Sequence, residues 1–284
     1  MMKKLFCTLL IVLGAVSAKG QPVPAHHDIP KNDPGLKYGI QFTAEARKKV
    51  NPFWEFHAGG EFRMRGDFLY DKQIRGNLGV EYKHTKKFSL LADYTYCGIM
   101  NNGDDYKSRH RLEAGAKETF KLNRKFKLIF TEKLGASYKT WDINKYQTTR
   151  LDIFIKLRAR LQWNLSKKFD LFTYLELKTT FREPNLTNLY YDQYIMQFTD
   201  ASGSPVGDKG WFLEGFDKIR INRLRNAIGA DYKLAKGHKL RLTILYDYET
   251  ELDIDANKQG TVIKSLVYDR RNLLYGRLGY FFSF

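Results

Sequence analysis

The sequence predicts an all-β chain closed into an antiparallel transmembrane β-barrel of about twelve strands, with ten as the alternative count. Three observations lead there. Apolar and polar residues alternate with a period of two from about residue 36 to the end. Most alternating runs reach ten residues or more, against about 5–6 for strands of soluble proteins. The connections are short at one end and long at the other, the pattern of outer-membrane barrels with short periplasmic turns and long external loops.

Residues 1–20 carry Lys3 and Lys4, an apolar run from Leu5 to Val16, and a small-residue exit at Ser17, Ala18 and Gly20. That run is too short to span a bilayer as a helix and reads as a cleaved secretory signal. Cleavage before Gln21 removes three lysines (Lys3, Lys4, Lys19) and no acid, taking the formal charge from +17 to +14. Cys97 is then the sole cysteine, which excludes an internal disulfide. Residues 21–35 form a proline-containing N-terminal segment, and 36–284 form the barrel.

Strands are predicted at 36–50, 53–65, 75–83, 88–97, 108–121, 125–138, 148–165, 169–182, 218–234, 238–250 and 272–284. Within 150–165, Leu151, Ile153, Ile155, Leu157, Leu161 and Trp163 share one face; Asp152, Phe154, Lys156, Arg158 and Arg160 share the other. The eleven runs fall one short of the even number usual in bacterial barrels, and both chain ends are then expected on the periplasmic side. Short basic turns recur as KHTKKFSL (83–90), KLNRKFKL (121–128), NLSKKFDL (164–171) and KLAKGHKL (233–240), with Asn51-Pro52 as an equivalent. Glu132 lies on the otherwise apolar face of 126–138, where a bulge is expected to re-aim it. A soluble sandwich also alternates, but strand length, the charge on every polar face and the unequal connections favour the barrel. A soluble periplasmic β-protein remains the competing class.

The last strand ends in Tyr280, Phe282 and Phe284 on one parity, the form of a signal read by the barrel-assembly machinery. Export removes nucleic acid as the partner of so basic a chain. It leaves outer-membrane lipid and lipopolysaccharide phosphates.

The segments GIQFTAEARKKVNPFWEFHAGGEFRMRGD (39–67), NLGVEYKHTKKFSLLADYTY (77–96), SRHRLEAGAK (108–117) and NAIGADYKLAKGHKLRLTILYDY (226–248), following an export signal, resemble the domain-of-unknown-function 2490 family, found largely in Bacteroidota. The likeness runs over nearly the whole mature chain. It implies an outer-membrane location and carries no established activity and no catalytic residues.

Parity places Glu61, Arg63, Arg111, Glu113, Arg158, Arg160, Glu176, Lys178, Arg223, Arg225 and Arg241 in the lumen. The mixture of signs predicts ion-paired networks rather than a single-sign selectivity ring. Opposed across the 166–168 turn, Arg158 and Glu176 are expected to be cross-strand neighbours. His57 should face the lumen between Glu55 and Glu61, with too few ligands nearby for a metal site. No cofactor is implied.

The role that follows is a non-enzymatic barrel with a charge-filled lumen: structural, surface-binding or a narrow pore. The alternative is a lipid-modifying hydrolase using Ser108 and His110, two residues apart on one strand face. No oxyanion-hole motif accompanies that pair. The long connection 183–216 carries Tyr190, Tyr191, Tyr194, Phe198, Trp211, Phe212 and Phe216, a candidate surface for a glycan or lipid ligand.

Overall fold

The structure, a computed structural model, describes residues 31–33, 35–65, 71–100, 106–188, 211–258 and 263–284. The expected signal peptide and most of the 21–35 segment lie outside the described residues.

Twelve strands form one sheet: β1 (Lys31–Asn32), β2 (Leu36–Lys49), β3 (Trp54–Arg65), β4 (Asp71–Lys83), β5 (Phe88–Met100), β6 (Tyr106–Lys121), β7 (Phe126–Lys139), β8 (Leu151–Asn164), β9 (Phe169–Asn188), β10 (Trp211–Ala235), β11 (His238–Ala256) and β12 (Ile263–Ser283). From β2 to β12 each strand pairs antiparallel with the next, and β12 closes on β2 to complete an eleven-strand wall. The seam is parallel, from Asn272↔Leu36 to Ser283↔Arg47. An odd number of up-and-down strands makes the first and last run the same way, so closure has to be parallel. The two-residue β1 adds to the same edge of β12, at Tyr268 and Asp269. The start of β2 and the end of β12 consequently lie at opposite ends of the barrel, not both at the short-turn end.

Four of the short turns use one device. A side-chain oxygen at the tip accepts the backbone N–H groups two and three residues on. Asn51 does this for Phe53 and Trp54, Thr85 for Lys87 and Phe88, Asn123 for Lys125 and Phe126, and Ser166 for Lys168 and Phe169. The fifth turn is only two residues long, and Gly237 supplies the left-handed backbone it needs (φ +81°).

The outer face is an apolar band. Ile40, Phe42, Phe56, Leu78, Leu90, Leu112, Leu134, Leu175, Ile228, Leu242, Ile244 and Leu278 are all exposed on it. Aromatics flank the band at both edges: Trp54, Trp163, Tyr232 and Tyr280 towards the short turns, Tyr38, Tyr106 and Tyr138 towards the long connections. So much exposed apolar surface is untenable in water and is what a bilayer-facing barrel wall requires.

Two further sequence expectations need correction. The β6–β7 and β7–β8 registers run unbroken through Glu132, which stays exposed on the outer face. No bulge re-aims it, because Lys133 needs the lumen side to reach Asp93 and Glu113. The segment 183–216 is not wholly a connection. Strand pairing continues up to Trp211↔Asn188, so 183–188 belong to β9 and 211–216 to β10. Register shifts around Gly215 and Lys218 hide these residues from a period-two reading. Tyr190, Tyr191, Tyr194 and Phe198 lie outside the described residues.

Candidate lumen site

Because side chains alternate across the wall, the charged parity of every strand converges on the lumen. Around the middle of β8–β11, Arg158 lies directly opposite Glu176, Glu176 opposite Arg225, and Arg225 opposite Asp247. Glu176, only 2 % exposed, accepts hydrogen bonds from Arg158 Nε (2.7 Å) and Arg223 Nη2 (2.7 Å), with Arg225 Nη1 at 3.7 Å. Arg225 also donates to Asp247, and Arg223 lies 3.5 Å from Glu249.

Two further carboxylates are shared in the same way. Glu113 serves Arg111 (3.8 Å), Lys133 (3.7 Å) and Lys156. Asp231 serves Arg241 (2.6 Å), Lys239 (3.4 Å) and Arg160 (3.6 Å). Glu61 pairs with Arg63 and Arg75. Asp93 pairs with His57 Nε2 at 2.8 Å and with Lys133. Each of Glu113, Glu176 and Asp231 gathers three cations, while Lys133, Arg223 and Arg225 are in turn shared by two or three carboxylates, so the pairs form a many-to-many network.

Aromatic rings give some of these cations a further partner. Arg111, Lys156 and Lys178 lie over Phe154 at 5.0–5.3 Å. Arg160 and Arg241 lie over Phe172 at 4.1 and 4.9 Å. Ring faces attract such cations. These rings are not marked by charge patterning alone; the available signal is an aromatic on the charged parity flanked by Lys or Arg, as Phe154 is by Lys156. Phe172, Tyr174, Ala227, Leu245, Leu273 and Tyr275 pack as a buried apolar cluster inside β9–β12. Gly39 lets Tyr275 approach across the seam: a Cβ there would sit 2.6 Å from its ring.

The lumen is therefore filled at mid-height. The largest fully buried side chains include Gln41, Phe154, Glu176, Leu245 and Asp247, which come from strands spaced around the wall and point inward. Arg158 keeps 42 % of its side chain exposed and Arg47 38 %, so wetted space remains on the short-turn side.

At the other end the β7–β8 connection leans over the mouth. Asn144 donates to the Asn257 carbonyl (3.0 Å) and Gln147 to Asp255 (2.7 Å), both at the end of β11. Beside it lies a cavity of 480 Å³ lined by Ile143, Lys145, Thr148, Thr149, Arg150, Arg182 and Phe216.

Ser108 and His110 do not meet. Ser108 Oγ pairs with Thr140 Oγ1 at 2.6 Å, and His110 Nδ1 with the Tyr94 hydroxyl at 2.7 Å. At the C-terminus, Phe282 and Phe284 stack at 5.2 Å, and Tyr280 pairs with His238 at 2.6 Å.

No family model matches the chain, and no curated protein matches it. Among solved structures it is similar to a bacterial polysaccharide outer membrane secretin, at 9 % identity and a TM-score of 0.41, over 80 % of this chain and 63 % of that one. It is also similar to the siderophore receptor PirA from Pseudomonas aeruginosa (12 %, TM-score 0.26, 79 % and 48 % covered) and that from Acinetobacter baumannii (9 %, 0.26, 82 % and 47 %). The chain thus spans less than two thirds of the length of these structures. Likeness of this degree carries no functional argument.

Proposed function

We propose that the protein is a non-enzymatic barrel of the bacterial outer membrane, closed at mid-lumen by its own charged and aromatic side chains, with the long connections as its outward working surface. The observation that carries this is the burial of inward residues on every wall strand but β6, most complete on β2, β7, β8, β9 and β11. An open porin would leave such side chains wet. The apolar outer band and its two aromatic edges support the membrane setting, in keeping with the export signal and the resemblance to the 2490 family expected from the sequence. Orienting the short turns to the periplasm puts Lys145, Arg150 and Arg182 at the outer rim, where lipopolysaccharide phosphates supply anionic partners. The terminal Tyr280, Phe282 and Phe284 would serve assembly rather than the mature function.

The separation of Ser108 from His110 leaves the serine without a base, which favours the non-enzymatic reading. Cell fractionation tests the proposal. The protein should sediment with outer membranes, resist alkaline washing and migrate heat-modifiably on gels. Liposomes carrying it should not swell in small sugars. Recovery in the soluble periplasm without detergent would overturn the membrane reading, and rapid swelling the closed lumen.

A further inference from the structure

Cations and carboxylates are not spread evenly through the lumen. On the loop side of the filled layer, Arg109 lies opposite Cys97, which lies opposite Arg75. Three same-face positions further along β7, from Lys139 opposite Arg109 to Lys133, four cations oppose each other directly across adjacent strands: Lys133, Lys156, Lys178 and Arg223. Like charges in directly opposed sheet positions repel, so such a row needs compensation.

Part of it is visible. Glu113 takes Lys133 and Lys156, and Glu176 and Glu249 take Arg223. Arg109 and Lys178 have no carboxylate within salt-bridge distance among the described residues. Lys178 has the Phe154 ring, and its electrostatic neighbours are Arg223, Arg111, Glu249 and Arg109. Arg75, Arg109 and Arg111 each bury an Nε that has no acceptor. A buried charged donor left unmatched is costly. Here three adjacent guanidinium groups and one ammonium share the deficit.

We propose that this part of the lumen, bounded by Arg75, Arg109, Arg111 and Lys178, is a binding site for a tetrahedral oxyanion, a phosphate or a sulfate group. Guanidinium forks match such oxygens two at a time, and the lysine adds a point charge. A carboxylate would satisfy fewer of the free N–H groups, and chloride would satisfy none directionally. The apolar cluster and the Glu176 layer close the space below, so the anion is held rather than passed. The site rests on the closed lumen of the proposed function, but its ligand does not follow from that reading.

The test uses the refolded full-length mature chain in detergent, at constant ionic strength. Thermal unfolding is followed against inorganic phosphate, sulfate, acetate and chloride. Phosphate and sulfate should raise the melting temperature saturably, with acetate and chloride much weaker. Arg109→Gln and Lys178→Gln should each weaken that response about tenfold or more, the loss of one charge-assisted bond. Both should be as stable as wild type, or more stable, without anion, because each relieves repulsion. Lys86→Gln, on the β4–β5 turn, should leave the response unchanged.

Phosphorus NMR of phosphate with wild-type protein gives a second reading should a variant not refold: broadening reversed by excess sulfate. A phosphate group presented on a lipid is separated from a free one by repeating the melts with a short-chain phosphatidate below its micelle concentration. Stronger stabilisation by the lipid assigns the group to a headgroup; equal or weaker stabilisation assigns it to a soluble oxyanion. Absence of a saturable response, or equal responses in wild type and Arg109→Gln, overturns the site. Planar-bilayer conductance is read separately. An open channel with intact phosphate binding would sink the closed-lumen reading and leave the site, whereas a closed channel without binding would do the reverse.

Discussion

Replacing Glu176 by alanine should be the most damaging single change in the lumen. The carboxylate is 2 % exposed and compensates Arg158, Arg223 and Arg225 at once. Removing one partner of a buried pair costs about 3–5 kcal/mol, because the other charge is stranded. Arg158 is 42 % exposed, so water screens its share and the lower end, about 3 kcal/mol, is the better figure. For a chain of this size that corresponds to a fall of roughly 6–12 °C in melting temperature. The matched control is Glu251→Ala at the rim. Glu251 is 62 % exposed and pairs with Arg271 at 3.2 Å, an exposed pair worth about 0–1 kcal/mol. Glu176→Gln keeps the shape but removes the charge, and should fall nearer to alanine than to wild type. Melting of refolded barrels, followed by heat-modifiable migration and circular dichroism, gives the comparison. If Glu176→Ala and Glu251→Ala melt together, the buried arginines are compensated by something other than Glu176, and the reasoning fails.

Three other outcomes follow from particular residues. Glu132→Leu should stabilise the barrel in lipid by roughly 1–2 kcal/mol, since it removes a carboxylate from mid-wall; an unchanged or lower melting point would mean that the carboxylate has a partner. Ser108→Ala should release no less fatty acid from phospholipid micelles than wild type, with background release in both; activity lost in the variant would establish the hydrolase. Glu183, above the end of β8, has its carboxyl held higher than usual by burial and by Glu251 and Asp152, against the pull of Arg220. The folded chain then binds that proton more tightly than the unfolded chain, so stability is lost as pH rises through the raised range. Glu183→Gln should accordingly outlast wild type at about pH 8 and lose its advantage below the ordinary carboxylate range; an advantage independent of pH would refute this.

Much of the wall was legible because a period of two is local. The eleven runs, the positions of the short turns and the face of each lumen charge all follow from neighbouring residues. The sense of closure was not legible: it depends on the parity of the total strand count, which no segment carries. Glu132 misled because its local apolar context outweighed the needs of Lys133 next to it. The extended β9–β10 hairpin was hidden by Pro184 and Gly215, around which the ladder shifts register. In the lumen, sequence parity supplies which charges face inward. The three-to-one sharing of Glu113, Glu176 and Asp231 appears only when several strands are brought round a ring.

Single-channel recording of the refolded wild-type protein in a planar bilayer tests the closed lumen most directly. Buried inward side chains from around the wall predict membrane insertion without stable conductance steps, and the appearance of leak when Glu176 is replaced by alanine. Stable, porin-like steps from the wild-type protein would contradict it.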